Sequence, residues 1–496
     1  MKAFVSLLLT LSALPAMAES KPNVIFIMAD DLGYMDVGFN NPDSFYDTPA
    51  LNALAKESMR FTAGYAACPV CSPTRSSILT GQYPARTRNT DFFGAPNGHQ
   101  VMPKDPTKVK MTGRLKRYAK RPILPAPYLE RLADEHTTLA EYLKSKGYAT
   151  MHAGKWHLGP KGSWPTDHGF DINKGGVTGG GPYSGDKYFS PYDNPNLSNG
   201  PKGEHLPDRL ASEVAQFITA NKDQPFFVYL PFYSVHTPLM APKPLVEKYE
   251  AKAKKLGLEA KFEPEWPREN RTVQEHAVYA GMVEAMDSAV GKVLKAVEDN
   301  GLKEKTIVIF FSDNGGLSTS EGSPTTNLPY RAGKGWAYEG GVREPTLVSL
   351  PGTVKVGVCE VPIISTDFYP TLLELCGLDA MPEQHVDGTS FAKLLQDPKA
   401  KHEREPLFWH YPHWGNQGGI PYSAVRAGDW KLIRFHWRKG EELYNLAKDP
   451  GEETNLAEKE PAKLKELSAI LDAKLIETKA LMPIANPDAK KPFNKW

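Results

Sequence analysis

Short apolar, β-branched runs alternate along the chain with stretches whose apolar residues recur every three or four positions, the pattern of a parallel sheet flanked by helices. Residues 23–28, 225–230, 306–311 and 345–350 read as strands. From 275 to 298, Met286, Val290, Val293, Leu294 and Val297 share one helical face. Thr48 and Pro49 cap and open another helix, which carries Leu51, Leu54 and Ala55 inward. After about residue 404 the texture changes to strand-like pieces at 423–426 and 430–435, then a charged helix at 457–475. The expected fold is α/β: a large mixed, mostly parallel sheet flanked by helices over 19–400, with a small C-terminal antiparallel sheet plus helix over 401–496. The Gly-rich piece 175–181 lacks strand-turn-helix context and reads as a loop.

Composition narrows the class. With 496 residues, 41% of them hydrophobic, the chain can bury a large core. Lys+Arg 59 against Asp+Glu 58 leaves a net charge of +1, so no global field attracts nucleic acid. Residues 1–18 carry Lys2, an apolar run and Ala16-Met17-Ala18, which together read as an export signal too short to span a bilayer. No later run is long enough either, so the expected location is the periplasm or beyond, with no membrane attachment once the signal is removed. Only four cysteines are present, and Cys68-x-x-Cys71 has no second close pair to complete a zinc site.

Candidate chemistry follows the strands. In open parallel sheets, ligands gather beyond the carboxyl ends of the strands. The first run is followed by Asp30-Asp31, a segment at 148–152 by Gly154-Lys155-Trp156-His157, the run at 225–230 by His236-Thr237-Pro238, and that at 306–311 by Asp313-Asn314-Gly315-Gly316. All four are expected at one edge. Asp30, Asp31, Asp313 and Asn314 form an oxygen-only set suited to a hard divalent cation, Ca²⁺ ahead of Mg²⁺ because the set is mixed and flexible. No Gly-x-Ser-x-Gly elbow supplies a nucleophile. Cys71 opens a predicted helix, and by physics alone it is a structural thiol, a thiol nucleophile or a modified residue.

The run Cys71-Ser72-Pro73-Thr74-Arg75, continuing to Leu79-Thr80-Gly81, resembles the Cys-x-Pro-x-Arg…Leu-Thr-Gly signature of the formylglycine-dependent type I sulfatases of the alkaline phosphatase superfamily. The resemblance extends through Asp30-Asp31, residues 154–158, 236–238, 313–316, Lys334-Gly335-Trp336 and 339–345, and on to 427–432 and 442–446, so it covers the mature chain. It implies an alkaline-phosphatase-like sulfatase fold, with the larger unit catalytic. It also implies that a maturase oxidises Cys71 to Cα-formylglycine, whose hydrate is the nucleophile and a metal ligand. Arg75 would hold that hydrate, Lys155 and Lys334 would bind sulfate, His236 would protonate the leaving alcohol, and His157 would take the proton as sulfate is expelled. A cation at the sulfate oxygens and an acid at the leaving group are what a sulfate monoester requires. Cys68 is left as a packed thiol, Arg343 as a structural residue, and His152 and His168 as structural histidines.

Two features bear on substrate. Residues 104–121 hold eight basic side chains against Asp105 alone, which reads as either a solvated loop or a groove wall for an anionic polymer. Trp409, Trp414, Trp430 and Trp437 crowd one stretch with His410, Tyr411 and His413, and His410, His413 and Trp414 are expected to contact a sugar. Together they point to a sulfated galactan such as carrageenan, or a glycosaminoglycan. The alternatives are a phosphodiesterase or phosphonate monoester hydrolase, an arylsulfatase for small esters, and a non-catalytic polysaccharide binder. Asn196-Leu197-Ser198 and Asn270-Arg271-Thr272 are glycosylation sequons that would be idle in a bacterial periplasm.

Overall fold

The computed structural model describes residues 21–486, apart from 109, 110 and 112, together with 489; the expected export signal lies outside the described residues. The main sheet uses strands β1 (Asn23–Ala29), β2 (Met59–Tyr65), β3 (Ala149–Ala153), β4 (Ile172–Lys174) and β5 (Phe226–Pro231). A hairpin of β6 (Phe262–Glu265) and β7 (Arg268–Arg271) stands apart, and β8 (Thr306–Ser312), β9 (Arg343–Ser349), β10 (Gly357–Cys359) and β11 (Ile363–Ile364) complete the sheet. The order is β10-β2-β9-β8-β1-β5-β3-β4, with β11 also on β2. Strands β8, β1, β5, β3 and β4 run parallel, and β9 is antiparallel to both of its neighbours.

Period-two alternation explains why these runs are apolar throughout. In β1, Ile25, Ile27 and Ala29 enter one core while Val24, Phe26 and Met28 enter the other. The first core is covered by α1 (Pro49–Ala55), α4 (Leu206–Ala220), α5 (Lys243–Leu256) and α6 (Ala277–Asp299); the second by α3 (Leu139–Ser145) and α7 (Phe368–Leu375), with α2 (Cys71–Thr80) seated between strand ends and helices. Pro49 opens α1 as expected, but the Thr48 hydroxyl accepts from Gly38 N–H instead of capping the helix. Asp287, reaching across from α6, accepts Ala50 N–H and Leu51 N–H at 2.9 and 2.8 Å in its place.

The small sheet consists of β12 (Leu407–Tyr411), β13 (Tyr422–Ala427), β14 (Trp430–Phe435) and β15 (Glu441–Asn445), antiparallel in chain order, with α8 (Pro461–Glu477) against it. Its core is shared with Tyr65, Cys68, Trp336 and Val342 of the larger unit. The four cysteines are free and buried. Among the described residues no helix is long and apolar enough to cross a membrane.

Candidate active site

The four loops expected at one edge converge there, because β8, β1, β5 and β3 are consecutive and parallel. Backbone bonds stitch the loops together: Asp30 N–H donates to Ser234 O, Val235 N–H to Asp30 O, and Lys155 N–H to Pro231 O at 2.9, 2.6 and 2.7 Å. Asp31 and His157 hold positive φ of 63° and 55°, a left-handed backbone that non-glycine residues rarely adopt outside constrained sites. At the far side of the site, Gly315 packs so tightly that a Cβ would lie 1.9 Å from Gly340 O. Only glycine fits there.

Three carboxylates and three cations meet in this space, all buried. Lys155 Nζ lies 2.5 Å from Asp30 Oδ2, Lys334 Nζ 2.8 Å from Asp31, and Arg75 Nη2 2.7 Å from Asp313 Oδ2. Arg75 also donates to Lys155 O at 2.8 Å. Ligand atoms of Asp30, Asp31 and Asp313 lie within 4.8 Å of one another, as do those of Asp30, Cys71 and His236. Asn314 donates to Asp31 Oδ1 at 2.9 Å. Asp30 Oδ1 and Asn314 Oδ1 are buried and have no partner among the described residues. Orphaned oxygens beside clustered carboxylates are what a divalent cation would satisfy, so the residues fit one.

Burial and charge set the proton states. Burial, reinforced by Asp30, pushes Asp313 up to about 6, and burial likewise raises Asp30. Asp31 goes the other way, because Lys334, His236 and Lys155 outweigh its burial. Burial pushes the Cys71 thiol up to about 12 despite Lys155 and Lys334, which opposes a resting thiolate nucleophile. His236 is lowered to about 4 by burial, then by Lys155 and Lys334. Its Nδ1 lies 2.7 Å from Thr237 O, and its Nε2 faces Asp31 at 3.9 Å. With Nδ1–H donating to that carbonyl, Nε2 must gain a proton before it can deliver one. His157 Nε2 bonds Phe93 O at 2.9 Å, leaving Nδ1 buried without a partner among the described residues.

The expected sugar contacts at His410, His413 and Trp414 are corrected by the structure. His410 is bonded to Ser423 Oγ and Leu481 O, His413 sits beside Thr90 Oγ1 and Asp91, and Trp414 donates to Ile123 O at 3.0 Å. All three are at most 5% exposed and offer no surface to a ligand. Trp414 instead anchors the basic segment, with Arg121 4.4 Å over its ring and Tyr118 Oη on its carbonyl. Sequence reasoning missed Glu321, whose carboxylate groups with Asp31 and His236, and the Gly-rich loop, where a Cβ on Gly180 would lie 2.7 Å from His157 Cε1. A positive φ of 55° at Glu321 left no sequence signal, whereas the density of glycines at 175–181 was the one available clue to close packing. Tyr183, 59% exposed and 6.4 Å ring to ring from His236, stands on the rim.

The model of the sulfatase family matches residues 22–378, and that of the N-sulphoglucosamine sulphohydrolase C-terminal region matches 332–480. A sulfatase of Formosa agariphila is 32% identical, covering 90% of this chain and 86% of its own length; human arylsulfatase A is 30% identical, covering 91% and 86%. The crystal structure of Ps i-CgsB in complex with k-i-k-neocarrahexaose superposes with a TM-score of 0.71 at 27% identity, covering 96% of this chain and 94% of that one. With the family match spanning most of its length, the chain belongs to the sulfatase family, as a type I sulfatase of the alkaline phosphatase superfamily, and is a sulfuric ester hydrolase.

Proposed function

We propose that the protein removes sulfate from a sulfated galactan or glycosaminoglycan, with Cys71 converted to Cα-formylglycine by a maturase that reads Pro73 and Arg75. The observation that carries this reading is the placement of Cys71 among Asp30, His236 and the three buried cations, at the head of a helix whose N-terminus favours an anion. The sugar class is supported by the likeness to a structure solved with an oligosaccharide. The modified residue would supply, as its aldehyde hydrate, an oxygen nucleophile and a second hydroxyl whose deprotonation expels sulfate by C–O cleavage. Asp30, Asp31, Asp313 and Asn314 would hold Ca²⁺, which supplies Lewis-acid stabilisation of sulfate charge. Lys155 and Lys334 bind the sulfate oxygens, neutralising charge as the ester bond breaks. His236 Nε2, protonated, donates to the departing alcohol, and His157 Nδ1 accepts the hydrate proton. Arg75 orients the hydrate through the bonds that fix its guanidinium. Residues 1–18 would direct export.

Co-expression with a formylglycine-generating maturase, followed by peptide mass spectrometry of the Cys71 segment and assays on sulfated oligosaccharides, 4-nitrophenyl sulfate and phosphate diesters, tests the reading. An aldehyde at residue 71, with sulfated oligosaccharides turned over fastest and loss of activity on chelation restored by Ca²⁺, is expected. An intact Cys71 thiol in fully active protein would overturn the mechanism, and preference for phosphate diesters would overturn the substrate class.

A further inference from the structure

A cavity of about 530 Å³ opens between the β6–β7 hairpin, the segment 328–338 and the small sheet. Its volume suits a small ligand of one or two sugar rings. The walls are aromatic. Trp266, at the hairpin turn, is 50% exposed; Trp336 and Tyr338 lie stacked with ring centroids 6.3 Å apart; and Trp437 closes the side formed by the small sheet. Trp336 ties this cavity to the catalytic site. Its Nε1 donates to Thr319 Oγ1 and Gln417 O at 3.0 and 3.1 Å, and the Gln417 amide donates to Glu321 at 2.8 Å. One short segment therefore reaches both places, with Lys334 bonded to Asp31 and Trp336 lining the cavity.

Its charge differs from that of the catalytic pocket. Glu263, Glu265, Glu442 and Glu453 line it, against Arg331 and Arg438. Both arginines are engaged: Arg331 grips Glu265 at 2.8 Å and covers Tyr338, and Arg438 pairs with Glu442 and covers Phe435. The remaining excess is negative, which repels a sulfate group. Asn270 also lines it, 8% exposed, with Oδ1 buried and lacking a partner among the described residues. Aromatic planes for ring C–H faces, plus carboxylate acceptors for hydroxyls, describe a site for a neutral pyranose.

We propose that this cavity is a subsite for an unsulfated sugar unit of the same chain whose sulfated unit enters the catalytic pocket. The inference rests on the carbohydrate reading above. The test uses the maturase-treated enzyme and fully desulfated neocarrahexaose, a neutral galactan hexasaccharide, in calorimetric titration, beside hydrolysis of sulfated neocarrahexaose and 4-nitrophenyl sulfate. Binding of the neutral probe is expected, weakened about tenfold by Trp266→Ala and largely restored by Trp266→Phe. The kcat/KM for the sulfated hexasaccharide relative to that for the aryl ester should fall by a similar factor in Trp266→Ala. Neutral probe binding absent, or a ratio and affinity indifferent to Trp266→Ala, would overturn the subsite even if sulfate esters are hydrolysed. Neutral binding that responds to Trp266 in a protein that hydrolyses no sulfated sugar would uphold the subsite and sink the carbohydrate-hydrolase reading instead.

Discussion

At the residue scale, the balance of three buried carboxylates by three buried cations decides what the site can hold. Lys334 is 3% exposed and bonded to Asp31 at 2.8 Å, so in the proposed mechanism it would both neutralise a metal-binding carboxylate and present an ammonium group to sulfate. Lys334→Met removes both roles and should lower kcat/KM by roughly 10²–10³, the cost of losing one charged group that stabilises developing charge. Lys334→Arg, which keeps the charge but not the compact shape, should recover only part of it. Steady-state kinetics on a sulfated oligosaccharide, with circular dichroism to verify folding, checks both; near-normal kcat/KM in Lys334→Met would remove it from the site. Lys334 was legible because Gly333 and Gly335 flank it and Trp336 follows. Glu321 was not, since its position beside His236 depends on a left-handed turn and on Gln417 from the small unit.

At the element scale, the strands were legible because burial on both faces forces unbroken apolar runs, while the capping of α1 was not. Its cap comes from Asp287, more than 230 residues along the chain from the N–H groups that it accepts. Burial pushes Asp287 up to about 6 from an ordinary 3.8, so the folded state binds this proton more tightly than the unfolded chain does. The stability from that proton is complete below about pH 4 and is lost as pH rises through 6, a change of about 3 kcal/mol at most. Asp287→Asn cannot titrate. Chemical denaturation from pH 4.5 to 7.5 should therefore give a wild-type minus variant difference that falls with rising pH, superimposed on a constant penalty for the lost second acceptor. A pH-independent difference would mean that Asp287 titrates normally. The aromatic cluster at 409–437 misled for a related reason: sequence gives the crowding of rings but not the direction they face, and the small sheet turns most of them inward.

At the scale of the whole molecule, the small sheet reaches the turn behind the Asp313 loop through one buried lysine. Lys431 of β14 lies 3.0 Å from both Glu339 and Glu452 and is fully buried. Glu452 accepts from Glu339 N–H, and Tyr65 Oη donates to the Glu339 carboxylate. Glu339 begins the turn of Gly340 and Gly341, where Gly341 O receives Gly315 N–H at 3.1 Å, directly behind Asp313 and Asn314. Burial works against charge on both glutamates, but Lys431 and Arg343 keep Glu339 low, at about 2, while Glu452 is raised to about 7. Lys431→Met would leave Glu339 without its closest cation and should cost about 3–5 kcal/mol, the range for breaking a buried ion pair. Adding Glu452→Gln should return part of that loss, because one carboxylate then no longer competes for compensation. Melting temperatures of the two variants, compared with residual sulfatase activity at a temperature where both remain folded, separate brace from mere ballast. If the double variant regains stability yet stays slow, the turn that carries Gly341 is setting the Asp313 loop; if activity returns in step with stability, the small unit supports the fold alone.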